Sequence, residues 1–124
     1  ENLRLRTYKR ISSITSEDEK QDVRRELADR FGVLPATVEN LLEYAVLKSM
    51  CERLRISAVE RQGNRIAIRF HAETPLDPAT LVKVVRSRKG IKLDPSGVLW
   101  LETTRGESVP GALKNVLLGL QGQG

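Results

Sequence analysis

Apolar residues recur at two periods along this chain, and the change from one to the other divides it. In the first half they step by three or four. Leu5, Tyr8 and Ile11 are spaced by three, so Leu3–Ser12 is expected as a short helix, with Arg4, Arg6, Lys9 and Arg10 over its remaining surface. Val23, Leu27 and Phe31 step by four and predict one narrow apolar stripe on a helix over about Glu17–Arg30. A third helix begins after Leu34-Pro35, where proline is tolerated in the first turn. Its apolar positions, Val38, Leu41, Leu42, Ala45, Val46, Met50, Cys51 and Leu54, form a face wide enough to lie at the centre of a core.

The second helix has the clearest ends. Ser16 can accept from the amide three residues on and Glu19 can reach back, a capping box. Glu17, Asp18 and Glu19 complement the positive end of the helix dipole. Gly32 is placed to take a left-handed turn, and Pro35 forbids helix through Leu34.

After Leu54 the period falls to two. Ile66, Ile68 and Phe70 alternate with Arg65, Ala67 and Arg69, the mark of a half-buried strand. Ile56–Arg61 precedes it across Gln62-Gly63-Asn64, which suits a tight hairpin. Asp77-Pro78 starts another helix, with Leu76 and Leu81 spaced as a hydrophobic staple, Leu81, Val82 and Val85 expected inside, and Gly90 expected to stop it. Ile91–Leu93 and Val98–Leu101 flank the turn signal Asp94-Pro95-Ser96-Gly97. Pro110–Leu120 is amphipathic through Leu113, Val116, Leu117 and Leu120, and residues 121–124 are expected to fray. The order ααα–ββ–α–ββ–α predicts an α+β fold, an N-terminal helical half followed by an antiparallel sheet of about four strands with covering helices. Residues 1–120 are expected to form a single domain. A split near Leu54–Ile56 is the alternative to a third helix that shares its apolar face with the sheet.

Composition narrows the class. At 124 residues, 40% hydrophobic and 30% charged, the chain fits one modest folded domain rather than a disordered segment. No apolar run approaches a membrane span, and no membrane partner is expected. A single cysteine, Cys51, cannot form an internal disulfide, which suits a reducing, cytoplasmic setting. The opening at Glu1 without methionine suggests a domain cut from a longer protein. The net charge of +5 is uneven. Residues 13–62 carry eight basic against ten acidic groups, whereas residues 63–93 carry seven against two. Such asymmetry speaks to partners rather than to fold.

Candidate chemistry is sparse. His71 is the sole histidine, at a strand end with no nucleophile suggested nearby. One histidine and one cysteine twenty residues apart supply no metal site, and no glycine-rich loop joins a strand to a helix. Neither a cofactor nor a catalytic residue is expected in this chain. What remains is charge. Asp22, Glu26 and Asp29 share one edge of the second helix, away from its apolar stripe. They read either as a solvated face, with Arg25 pairing Asp29 and Arg30 pairing Glu26, or as a docking stripe for a basic surface. Arg86-Ser87-Arg88-Lys89-Gly90-Ile91-Lys92 reads either as the ordinary cationic complement to a helix C-terminus or, through Arg86, Arg88, Lys89 and Lys92, as a nucleic-acid contact. Aromatic residues are only 4% of the chain and none interleaves with that run, which disfavours base stacking there.

Two motifs carry a family resemblance. Arg4-Leu5-Arg6-Thr7-Tyr8-Lys9-Arg10-Ile11 and Glu26-Leu27-Ala28-Asp29-Arg30-Phe31-Gly32-Val33-Leu34-Pro35, with the leucine-rich helix that follows, resemble the C-terminal domain of the bacterial transcription-repair coupling factor (Mfd). The likeness covers about Leu3–Leu101 and is most specific in the first half. It implies a regulatory module of an ATP-driven DNA translocase that removes stalled RNA polymerase and recruits excision repair. In that family the domain packs on a UvrB-like module of the same chain, masks the UvrA-binding surface and restrains the motor until polymerase is engaged. The family's acidic contacts fall on Glu26 and Asp29.

Overall fold

A computed structural model describes residues 2–122 and contains five helices and four strands. They are α1 (Asn2–Ser12), α2 (Glu17–Phe31), α3 (Ala36–Arg53), β1 (Ile56–Gln62), β2 (Arg65–Phe70), α4 (Pro78–Ser87), β3 (Ile91–Leu93), β4 (Leu99–Glu102) and α5 (Val109–Leu120). The expected α+β order holds, and the chain divides into two compact units, Glu1–Met50 and Cys51–Gly124.

In the first unit α2 and α3 form an antiparallel pair. Lys20 Nζ meets Glu43 at 3.1 Å, and Arg24 grips Glu39 through Nε and Nη2 at 2.9 and 2.8 Å. Four residues forward on α2 thus correspond to four back on α3, one ladder of ion pairs between the helices. Val23 and Leu27 are buried, but Phe31 is 49% exposed. The ladder explains the difference: by the turn of α2 that holds Phe31, α3 has not yet begun. Leu42, Ala45, Val46, Leu47 and Met50 bury the α3 face, Leu47 in addition to the expected set. Ser49 donates to the Thr15 carbonyl at 3.1 Å. On α1 the expected stripe is buried only at Ile11, joined by Ile14 beyond the helix end, while Leu5 and Tyr8 are exposed.

The second unit is built on a fully antiparallel sheet in the order β1-β2-β4-β3. Ile66 and Ile68 of β2, Leu99 and Leu101 of β4 and Ile91 of β3 are buried on one face. Val84 of α4 and Ala112, Leu113, Val116, Leu117 and Leu120 of α5 supply the buried helical side. Val84, not Val82, continues the stripe from Leu81, and Val82 is exposed, a correction to the inward position expected for it. The step of three from Leu81 to Val84 stays on one helix face, and a step of one does not. Ala67, expected on the open face, is fully buried because β2 is central and Ala67 lies between Glu60 and Trp100 of its neighbours.

Helix α4 ends at Ser87, three residues before Gly90, with Arg88 already extended. Gly90 serves the sheet instead. Its φ is +87°, its carbonyl accepts from Glu102 N–H at 2.8 Å, and an added Cβ would stand 3.1 Å from the Glu102 Cβ and 3.3 Å from the Glu102 oxygen. Gly90→Ala is therefore expected to cost about 2–3 kcal/mol, the left-handed penalty plus crowding against a paired strand. Urea unfolding measures it, and a loss below about 1 kcal/mol would mean that the junction relaxes. Of the tail expected to fray, Gln123 and Gly124 lie outside the described residues. Gln121 N–H donates to Leu117 O and Gly122 N–H to Gly119 O, both at 3.0 Å.

Candidate functional site

Helix α2 is fixed at its start by local chemistry. The Ser16 hydroxyl accepts from Glu19 N–H at 3.1 Å. The Glu19 carboxylate reaches past Ser16 to accept from the Thr15 amide at 2.8 Å and from the Thr15 hydroxyl, one residue earlier than a capping box requires. Those two bonds hold its pKa below the ordinary carboxylate value. At the other end Gly32, with φ +81°, donates to Ala28 O at 2.8 Å and turns the chain out.

With Val23 and Leu27 inside and Lys20 and Arg24 committed to α3, the opposite edge faces water. Asp22, Glu26 and Asp29 are all exposed on it. The i, i+4 pairs expected from the sequence do not form. Arg25 instead pairs back to Asp22 one turn earlier, with both side chains more than 60% exposed. Glu26 accepts from Arg10 Nε of α1 at 3.3 Å, the two side chains 53% and 44% exposed. Pairs so exposed are worth only about 0–1 kcal/mol each and exchange readily with another partner. The Asp29 carboxylate has no hydrogen bond or ion pair among the described residues. It sits in the last turn of α2, at the negative end of the dipole, where a carboxylate costs the helix stability.

The basic run of the second unit is broken up by the fold. Arg86, Lys89 and Lys92 are exposed, but Arg88 is half-buried in a bidentate pair with Glu107, at 2.8 and 2.9 Å, and also donates to the Glu102 carbonyl at 3.2 Å. Arg88 thus ties the α4–β3 junction to the loop before α5. The Arg88 guanidinium, helped by the Thr104 amide and hydroxyl, lowers Glu107 from 4.5 to about 2. Ser96, the Trp100 indole N–H and the Val98 amide likewise lower Asp94 from 3.8 to about 2. Both groups have folded pKa values below their unfolded ones. Their stabilisation is therefore complete above about pH 4.5 and is lost as the pH falls toward about 2. Glu107→Gln is expected to lower stability at neutral pH and to flatten the loss across that acid window. Urea unfolding at stepped pH, followed by the fluorescence of the single tryptophan, measures both. A mutant curve parallel to the wild type would count against the pair.

His71 is tied into the chain around it. His71 Nδ1 accepts from the Glu73 amide at 3.1 Å, and the His71 amide donates to Arg55 O at 2.8 Å. Burial, with Glu52 beside it, pushes the half-buried Cys51 thiol up, away from reactivity. Among the described residues no group of three or more His, Cys, Asp or Glu could hold a metal, and no helix is long and apolar enough to cross a membrane. One cluster escaped the sequence reading. Arg65 lies over the Trp100 ring, 4.0 Å from its centroid, although 35 positions separate them. The hairpin signals before β2 and before β4 pair those strands with β1 and β3, and nothing local marks the β2–β4 pairing that brings the two residues together.

The class these features define is an α+β domain of five helices and a four-stranded antiparallel sheet, with a capped helix that carries an acidic exposed edge. The TRCF domain model matches residues 1–81, and the chain belongs to that family. It is 34% identical over 87 residues to the transcription-repair-coupling factor of Escherichia coli (strain K12), covering 70% of this chain and 8% of that protein. It is 34% identical over 106 residues to the transcription-repair-coupling factor of Myxococcus xanthus, covering 85% of this chain and 9% of that protein. The chain thus spans less than a tenth of the length of these relatives. Its structure is similar to the crystal structure of the C-terminal domain of transcription-repair coupling factor, with a TM-score of 0.79 and 25% identity over 99% of this chain and 80% of that one.

Proposed function

We propose that residues 1–120 act as one autoinhibitory interaction domain of a cytoplasmic, transcription-coupled DNA repair translocase. The α2 edge of Asp22, Glu26 and Asp29 docks on basic side chains of a UvrB-like module in the parent chain. While docked, the domain masks the UvrA-binding surface and restrains the ATP-driven motor, and engagement of RNA polymerase releases it. The observation that carries this reading is Asp29, an exposed carboxylate without a partner among the described residues, beside two carboxylates held only by exposed arginines.

The chemistry suits a latch. Rim charges orient a partner and speed its arrival without making it permanent. A switch between two states needs only a few kcal/mol of bias, and a few such pairs supply that range. Binding of this domain to the purified UvrB-like module, measured by calorimetry across ionic strength, tests the reading. Affinity should fall steadily as salt shortens the Debye length from about 30 Å at 0.01 M to about 8 Å at 0.15 M. Salt-independent binding would place the contact on another surface, and no binding at low salt would defeat the latch.

A further inference from the structure

The open face of the sheet is unlike the rest of the surface. The whole net charge resides in the second unit. Residues of Cys51–Gly124 carry twelve basic and seven acidic groups, and those of Glu1–Met50 carry nine of each. Alternation along the strands puts Arg65 and Arg69 of β2, Trp100 and Glu102 of β4 and Lys92 of β3 on the face opposite the buried Ile66, Ile68, Leu99 and Leu101. Trp100 pairs across the strands with Lys92 on one side and Ala67 on the other, and Asp94 fixes its indole edge by accepting from Nε1 at 3.1 Å. The guanidinium carbon of the exposed Arg65 stands over the ring, 4.0 Å from its centroid. Beside this stack is an open hollow of about 830 Å³, lined by Arg65, Gly90, Lys92, Asp94, Trp100 and Glu102 among others.

We infer that this face binds single-stranded nucleic acid. An unstacked base lies on the outer plane of Arg65, extending the indole–guanidinium stack by one layer, and the adjoining phosphate meets Lys92. Base stacking on guanidinium planes and aromatic rings is the usual means by which sheet surfaces hold unpaired nucleotides. Arg69 is already engaged by Glu60 at 2.7 Å, and neither the Lys92 ammonium nor the Glu102 carboxylate has a polar partner among the described residues. Glu102 is the one free carboxylate in the hollow, and it would repel a phosphate. Facing a base edge it accepts from an exocyclic amino group, the contact that distinguishes cytosine from thymine. Duplex DNA and acidic peptides offer the cations charge but present no free planar face to the stack.

Fluorescence anisotropy with labelled oligo-dC and oligo-dT, using the intact 124-residue chain at low salt, tests this. Both should bind and shift the emission of the single tryptophan, with dC the tighter. The salt slope should be about −0.7 per phosphate met. Arg65→Lys keeps the charge and removes the plane, and should weaken binding about tenfold, within the range of one lost stack. Glu102→Gln should erase the preference for dC. Trp100→Leu is the second variant, read only after its fold is checked by circular dichroism. No binding by either oligonucleotide would overturn the inference. So would equal binding of poly-glutamate, or unchanged affinity in Arg65→Lys. None of these outcomes bears on the α2 latch, which lies in the other unit.

Discussion

Leu99→Ala is expected to remove about 2–5 kcal/mol of stability, the range for a large side chain cut out of a packed interior. Leu99 has no exposed surface and stands in β4 between Ile68 of β2 and Leu93 of β3. Both flanking strands hold their backbones by ladder hydrogen bonds, so the space left by three missing carbons cannot close by a local shift. The lost transfer energy and the residual cavity then add. At roughly 4 °C per kcal/mol for a chain of this size, the melting temperature should fall by about 8–20 °C. Val82→Ala is the matched control. Both are aliphatic truncations in the same unit, but Val82 is 49% exposed, and its loss should stay within about 0.5 kcal/mol. Thermal melts followed by circular dichroism separate the two. Near-equal shifts would mean that the interior is not centred on the β2–β4 pair.

Helix and strand limits were legible because their determinants are local. Ser16, Gly32, Pro35, Gly63 and Asp77-Pro78 each act on neighbours within four residues, and every element they delimit begins or ends within a residue or two of the expected place. Positions set by long-range geometry were not legible. Periodicity puts Phe31 on the Val23–Leu27 stripe but cannot say that α3 starts too late to cover it. It puts Ala67 outside but cannot say that β2 is central.

The same division holds for the candidate sites. The acidic edge of α2 follows from spacing alone, and the structure keeps it exposed. Its ion pairs were misassigned because Arg10, the partner of Glu26, comes from a different helix sixteen residues away. The basic run looked continuous along the chain, yet Glu107, nineteen residues on, takes Arg88 out of it. Charge pattern shows which surface is charged, and tertiary pairing decides which of those charges remain available.

Asp29→Ala should separate docking from stability by moving them in opposite directions. In the free domain the change removes a carboxylate from the last turn of α2, ends its repulsion with the helix dipole and adds a better helix former. No bond among the described residues is lost. The domain should therefore gain about 0.3–1 kcal/mol. If the proposed latch holds, binding to the UvrB-like module should weaken, and Asp29→Arg with Glu26→Arg should weaken it by about 100-fold, because like charges brought together cost several kcal/mol. The double variant also sets Arg10 beside a new cation, a cost limited to about 1 kcal/mol at so exposed a site. Calorimetric binding and urea unfolding of the same samples give both quantities. A more stable domain that docks less well identifies Asp29 as a contact held against the preference of its own helix. Unchanged docking in the double reversal would remove α2 from the latch, whatever the unfolding data show.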